Sequence, residues 1–301
     1  MAQFLQLVVG GIVLGSCYAL IALGFTIIFK ASGVINFAQG ELVLVGAYVV
    51  SAGVFEYHLA FIPALLVGIV FTVLIGVVFE RFILRRMIGR PVFSIIMITI
   101  GLDILLFTAV SVRIGANYPP VATPFLFTDG IKLGGVSVLS NQMAVVAVTA
   151  ACCALLFVFF RYTKYGLAMR ATALDQEAAL AMGISVRTVN ALAWGIAAAI
   201  ATIGGVFLGS AQNLGFVSVS LGQVALAAFP AIILGGLDSV SGAVVGGLII
   251  GLTETLVGGY ESSVQKFVGV DFHHVAPYLL MILVLLVRPY GLFGTRKVER
   301  V

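Results

Sequence analysis

Gly33-Val-Ile-Asn-Phe-Ala-Gln-Gly-Glu41 stands between two apolar runs, residues 4–29 and a second ending near Phe55. Whether those runs are soluble-core helices or membrane spans decides what Asn36, Gln39 and Glu41 are doing there. Composition answers this. Of 301 residues, 61% are hydrophobic and 9% charged, whereas a soluble domain carries about 25% charged residues. Mean hydropathy is +1.20, and no soluble fold of this length hides so much apolar surface. The runs are about 18–26 residues long, contain Gly and Pro and lack two-residue alternation, so they read as membrane helices and not barrel strands. Glu41 is then a carboxylate just inside an apolar segment, a functional-site hypothesis by default. Gly33 and Gly40 can interrupt the helix there, exposing backbone groups that a substrate or partner helix must satisfy.

Working outward, the expected fold is an all-α polytopic membrane protein, one transmembrane domain over residues 1–301 with about 8–9 hydrophobic segments, some of them discontinuous or re-entrant. The segments are 4–29, 33–55, 59–79, 92–112, 142–160, 186–210, 224–234, 240–257 and 275–287. Met1-Ala-Gln carries no Lys or Arg and the run after it exceeds a signal core, so the first segment reads as a retained span. It holds Gly11 and Gly15, a spacing that lets another backbone approach closely. Segment 224–234 is too short to span, is broken by Pro230 and stops at Gly235-Gly236. A weak internal repeat pairs it with segment 33–55. Each begins with Gln or Leu-Gly-Gln and leads into a Gly-rich span, one ending at Glu80 and the other holding Glu254, as in transporters with two interrupted segments.

Two loops stand apart. Residues 113–141 hold Pro119-Pro120 and Pro124, and Ile131-Lys-Leu-Gly-Gly-Val-Ser-Val suggests a small hairpin. Residues 161–187 contain Asp175-Gln-Glu-Ala-Ala-Leu-Ala-Met-Gly183, a short helix with Asp175 placed to cap it and Gly183 to end it. Eight residues of helix reach only about 12 Å, so it lies on the membrane and does not cross it. Ser185 can cap the next span. If segments 33–55 and 224–234 both cross, 13 of the 16 Lys and Arg residues share one side. The positive-inside rule puts that side in the cytoplasm, with residues 161–187 cytoplasmic, 113–141 extracytoplasmic and the N-terminus outside. The net charge of +4 therefore reports orientation, not nucleic-acid binding.

Enzyme chemistry has little support. The histidines His58, His273 and His274 lie at predicted outer loop edges; His273 and His274 could share a zinc ion, and a solvated or interface role is the plainer reading. No Gly-x4-Gly-Lys-Ser/Thr loop and no nucleophile elbow is present. Cys17, Cys152 and Cys153 read as small apolar residues. Asp103 and Glu254 are the other intramembrane carboxylates, read as structural pairs, whereas Glu41 with Asn36, Gln39 and Gly40, and Gln223 in the matching segment, are the candidates for pathway or gate.

Gly15-Ser-Cys-Tyr-Ala-Leu-Ile-Ala-Leu-Gly24 and then Gly33–Glu41 resemble the permease subunit of bacterial ABC importers for branched-chain amino acids. Gly166-Leu-Ala-Met-Arg-Ala171, Ile233-Leu-Gly-Gly-Leu237, Ser241-Gly-Ala243 and Arg288-Pro-Tyr-Gly-Leu-Phe-Gly294 extend the resemblance over nearly the whole chain. The resemblance implies an inner-membrane pathway formed with a second permease subunit, two cytoplasmic ATPase subunits that bind the ATP, and an extracytoplasmic substrate-binding protein meeting the outer loops. This chain itself would hold no cofactor. The resemblance also implies that residues 161–187 are a coupling segment, with Arg170, Asp175, Gln176, Glu177 and Gly183 at the ATPase. Many relatives have His where this chain has Gln39, and an amide cannot titrate as His does. Permeases for urea, short amides and small carboxylates share the family pattern; a transporter or channel working alone is the reading from another class.

Overall fold

The computed structural model describes residues 2–87, 90–114, 119–120, 130–133, 136–211 and 217–295. The helices are α1 (Ala2–Ser32), α2 (Gln39–Phe55), α3 (Phe61–Phe82), α4 (Val92–Ile114), α5 (Ser140–Tyr162), α6 (Lys164–Leu174), α7 (Gln176–Ala181), α8 (Val186–Ala211), α9 (Leu221–Leu226), α10 (Phe229–Gly235), α11 (Val240–Val268) and α12 (Phe272–Val287). A 3-10 turn, Leu84–Met87, joins α3 to α4, and an antiparallel hairpin of β1 (Ile131–Leu133) and β2 (Val136–Val138) precedes α5. Among the described residues, α1, α3 with its 3-10 turn, α4, α5, α8 and α11 are long and apolar enough to cross a membrane. The hairpin matches the expectation from its alternating residues, and Gln6 pins it to α1 by exchanging two 3.0 Å hydrogen bonds with the Ser137 backbone.

α1 is the centre of the molecule. It carries no charge before Lys30 and stops at Gly33, whose φ of +73° suits only glycine without cost and whose N–H reaches Phe29 O at 2.7 Å. Lipid supplies no hydrophobic drive for helix pairing, so close packing must hold the bundle. α1 meets α11 along a seam of small residues. A Cβ added to Gly15 would lie 2.7 Å from Leu248 Cα, and one on Gly251 only 2.2 Å from Gly15 N. α3 meets α8 in the same manner at Gly68 and Gly76, where the Thr72 and Thr202 hydroxyls lie 2.6 Å apart. An interhelical hydrogen bond in a membrane averages about 0.6 kcal/mol, so the backbone approach and not the hydroxyl pair carries these seams. α4, α5 and α12 turn Leu105, Leu155 and Leu286 outward, as lipid-facing helices do.

The weak repeat becomes visible as packing. α1 lies on α11 as α8 lies on α3, and α10 lies on α1 as α2 lies on α8. α1 ends where Ala31 O accepts a hydrogen bond from Gln176, just before α8 begins, so the two lead helices run in opposite directions. The repeat is therefore inverted.

The structure corrects several boundaries. Pro230 does not break its segment; it sits in the first turn of α10, where a missing N–H costs nothing, and the break falls at Ala227–Ala228. α11 runs to Val268, well past residue 257. Residues 164–174 form α6, a helix the loop reading does not foresee. The expected short helix is present as α7. Asp175 Oδ1 accepts from Glu177 N at 2.9 Å and Ala178 N at 3.0 Å, and Gly183 leaves it at φ +81°.

Candidate functional site

Residues 33–38 are not helical, and they turn the chain back into the bundle before α2 starts. Asn36 drives the turn: its Oδ1 accepts from Ala38 N at 3.1 Å, a local bond that competes with helix. Its Nδ2 donates to Gln39 Oε1 at 3.4 Å, and Gln39 Nε2 donates onward to Ala197 O on α8 at 3.3 Å. Phe37 N donates to Thr99 on α4 at 3.3 Å. α2 thus begins deep among α1, α4 and α8. It ends at the opposite face, where the Ser51 hydroxyl donates to Pro120 O in the loop after α4. Segment 33–55 thus runs from one end of the bundle to the other, bent and non-helical over 33–38 and helical from Gln39 onward.

Glu41 is 3% exposed and faces away from Asn36 and Gln39. Its carboxylate lies against α9, where a Cβ on Gly222 would be 2.3 Å from Oε1, and a Cβ on Gly40 would be 2.5 Å from Gly222 O. Only two glycines allow the segments to meet this closely. Glu41 Oε2 has no hydrogen-bond partner among the described residues, and Asp103 on α4 lies within electrostatic reach. A carboxylate in the first turn of α2 is favoured by the free N–H groups there. Asn36, Gln39, Gly40 and Glu41 are all buried but split between two contacts, Asn36 and Gln39 toward α8 and Gly40 and Glu41 toward α9, while Gln223 is exposed. Of the matching stretch, residues 215–216 lie outside the described residues. Val217 N bonds Pro119 O at 2.7 Å, so segment seven starts at the far face and descends.

The residues assigned to coupling form one surface. Arg170, Asp175, Glu177 and Gly183 are exposed on α6, α7 and the turn after them. Leu174 and Met182 stand out beside them at 89% and 82% exposure. Gln176 alone turns inward, donating to Ala31 O at 3.4 Å.

Beneath the broken stretch is a cavity of about 190 Å³, bounded by residues 32–36, α3, α4, α7 and α8. Glu80 on α3 is 1% exposed; its Oε2 meets Arg85 Nη2 at 3.4 Å, and its Oε1 has no hydrogen-bond partner among the described residues. Asn190 Oδ1 on α8 is also unpartnered. From sequence Glu80 reads only as the charged end of a span, and Asn190 was not singled out.

Of the other intramembrane carboxylates, Glu254 is paired as expected. It accepts from Tyr18 Oη at 2.7 Å and meets His274 Nδ1 at 3.2 Å. The Oδ1 of Asp103 lacks a hydrogen-bond partner among the described residues. His273 and His274 stack at 4.0 Å but reach different carboxylates, His273 lying 2.7 Å from Glu261, so they do not converge on one ion.

A family model described as the branched-chain amino acid transport system permease component matches residues 7–285. The chain is 35% identical to the high-affinity branched-chain amino acid transport system permease protein LivH of Escherichia coli K12, over 99% of this chain and 98% of that one. It is 32% identical to BraD of Pseudomonas aeruginosa, with the same coverage. A probable LivH of the archaeon Methanocaldococcus jannaschii is 28% identical over 97% of this chain. The solved structure of PsaBC from Streptococcus pneumoniae in complex with Fab shares the fold, with a TM-score of 0.51 and 16% identity over 95% of this chain and 92% of that chain. With its apolar helices, this makes the molecule a multi-pass inner-membrane protein. The chain belongs to the permease family of branched-chain amino acid ABC transporters.

Proposed function

We propose that the chain is one of two permease subunits of an ATP-driven importer for branched-chain or related aliphatic amino acids. Its Arg-rich face lies in the cytoplasm. Two ATPase subunits dock on α6 and α7 and hold the ATP, a longer related permease completes the pathway, and a binding protein delivers substrate to the far face near residues 113–141. The observation that carries this reading is α7, a helix capped by Asp175 that carries Glu177, is flanked by the bare apolar side chains of Leu174 and Met182 and bares Leu180, and is anchored to the core through Gln176. Movement of α7 reaches the end of α1 through that bond. Gly33 is the next residue with freedom to turn, and residues 34–38 lead directly to Glu41.

The test is uptake by proteoliposomes carrying the complete complex. Leucine uptake should require ATP and the binding protein, and Asp175→Ala with Glu177→Ala should sever ATP hydrolysis from uptake. Uptake without an ATPase would place the chain among stand-alone transporters. Stronger competition by urea than by leucine would move the substrate to amides.

A further inference from the structure

Three stretches that the site does not use meet at one place. Ile233–Leu237 ends α10, Ser241–Ala243 opens α11, and Arg288–Gly294 follows α12. Leu292 N and Phe293 N donate to Leu234 O and Gly235 O at 2.8 and 3.0 Å, satisfying carbonyls that the end of α10 would otherwise leave free. Ser239 caps α11, its hydroxyl accepting from Gly242 N at 3.0 Å. Glycines let the backbones touch. Gly235 lies directly against Gly242; a Cβ on Gly236 would be 2.5 Å from Gly294 N, and one on Gly291 2.7 Å from Ile233 O. Gly236 and Gly291 also hold φ of +104° and +77°, which any side chain would strain. The ends of α10, α11 and α12 are thus one junction on the Arg-rich side.

The junction has two faces. Gly291 is buried and Leu292 packs on the core, whereas Tyr290 and Phe293 are 46% and 49% exposed. The exposed face continues the surface of α6 and α7. Lys30, in the last turn of α1, lies within electrostatic reach of both Asp238 in the junction and Arg170 on α6. Asp238 in turn accepts from the Thr295 hydroxyl and N–H. The buried face leads the other way. α10 is the half of the interrupted segment that follows α9, and α9 carries Gly222 against Glu41. A displacement of the junction moves α10 with it, and the break at Ala227–Ala228 passes the motion to α9.

We propose that residues 288–295 are a second contact for an ATPase subunit, anchored by Tyr290 and Phe293, and that this contact drives α10 and α9 while α7 drives the end of α1. The proposal rests on the ATP-driven importer reading and adds a second input to the Glu41–Gly222 contact. The two inputs reach that contact from opposite sides, one through residues 33–38 and the other through α9. Exposed aromatics at the end of a span also suit lipid headgroups. Continuity with α6 and the backbone tie to α10 favour the protein partner, since aromatic anchors are enriched at protein interfaces and a lipid contact would need no such tie.

The experiment is photocrosslinking of the complete complex in proteoliposomes, with p-benzoylphenylalanine in place of Phe293 or, beside α7, of Leu174. Both positions should yield a permease–ATPase adduct. An ATPase adduct from position 174 with only lipid adducts from position 293 overturns this contact and leaves the functional reading standing; no ATPase adduct from either overturns both. Tyr290→Ala with Phe293→Ala alters exposed side chains alone, so the complex should still assemble on size-exclusion chromatography. Its substrate-stimulated ATP hydrolysis should fall about tenfold, the scale of losing an interface hot spot. Full stimulation in that double variant overturns the proposal, and the crosslinks decide the matter if the variant fails to assemble.

Discussion

Two interrupted segments meet at Gly40 and Gly222, and they are built as opposites. In the first, a bent non-helical stretch on the Arg-rich side precedes one unbroken helix of 17 residues. In the second, a short non-helical stretch at the far face, residues 217–220, precedes two helices of 6 and 7 residues. The first is fixed on several sides. Asn36, Gln39 and Glu41 are buried, and Gly46 and Gly205 press α2 against α8, where a Cβ on Gly205 would be 2.3 Å from Val43 O. In the second, Ser220 and Gln223 are exposed and Ser218 is half-buried, and the serines bond mainly to each other, with 2.9 Å between their hydroxyls. α10 is clamped at its lower end, because Leu292 and Phe293 donate to Leu234 O and Gly235 O at 2.8 and 3.0 Å. Between clamp and glycine contact lie only the break at Ala227–Ala228 and α9. The difference assigns rigidity to α2 and adjustability to α9.

The comparison can be broken most severely at the contact itself. Gly222→Leu drives a side chain into the Glu41 carboxylate, an overpacking cost of about 3 kcal/mol or more. Uptake should be lost, and size-exclusion chromatography should show a poorly assembled complex. Glu41→Ala empties the contact without crowding it; uptake should fall about tenfold while assembly persists. Normal uptake by that variant would remove Glu41 from the mechanism. Asp175→Ala removes a helix cap worth about 1 kcal/mol. It should lower substrate-stimulated ATP hydrolysis several-fold and leave basal hydrolysis by the ATPases intact. The smallest effect sharpens the contrast. Gln223→Ala should change uptake by less than about twofold, within the range of exposed substitutions, whereas Asn36→Ala, which frees the turn before α2, should cost more. Equal effects at the two positions would erase the distinction between a fixed and an adjustable segment.

Much of this was legible in the sequence because membrane proteins leave few choices. Long apolar runs, Gly33, Asp175 and Gly183 each have one good local solution, and each adopts it. The mutual burial of Asn36, Gln39 and Glu41 followed from the cost of polar groups in lipid. What lay beyond reach were facts of distance. Nothing local to Gly222 says that Glu41 lies on it, some 180 positions earlier in the chain. Gln223 carries the same amide as Gln39, and only the packing of α9 turns it outward. Pro230 misled because proline breaks a helix interior but suits a first turn, and the missing signal was the true start of α10. The Glu80 cavity was hidden for a related reason: its walls come from five separated segments, and an ion pair with Arg85 reads in sequence as an ordinary loop charge.

The glycine seam between α1 and α11 has a consequence for how the molecule is made. Gly15 has its closest packing with Leu248 and Gly251, so α1 waits for α11, which is made much later along the chain. At ordinary elongation rates the wait is roughly 10 to 50 seconds. During that interval Gly11 and Gly15 offer a narrow bare groove to any membrane helix nearby, and α8, which also packs on α1, arrives in time to cover only part of it. Protease resistance in a translation-arrest series should therefore appear abruptly, when residues near 250 have entered the bilayer, and not helix by helix.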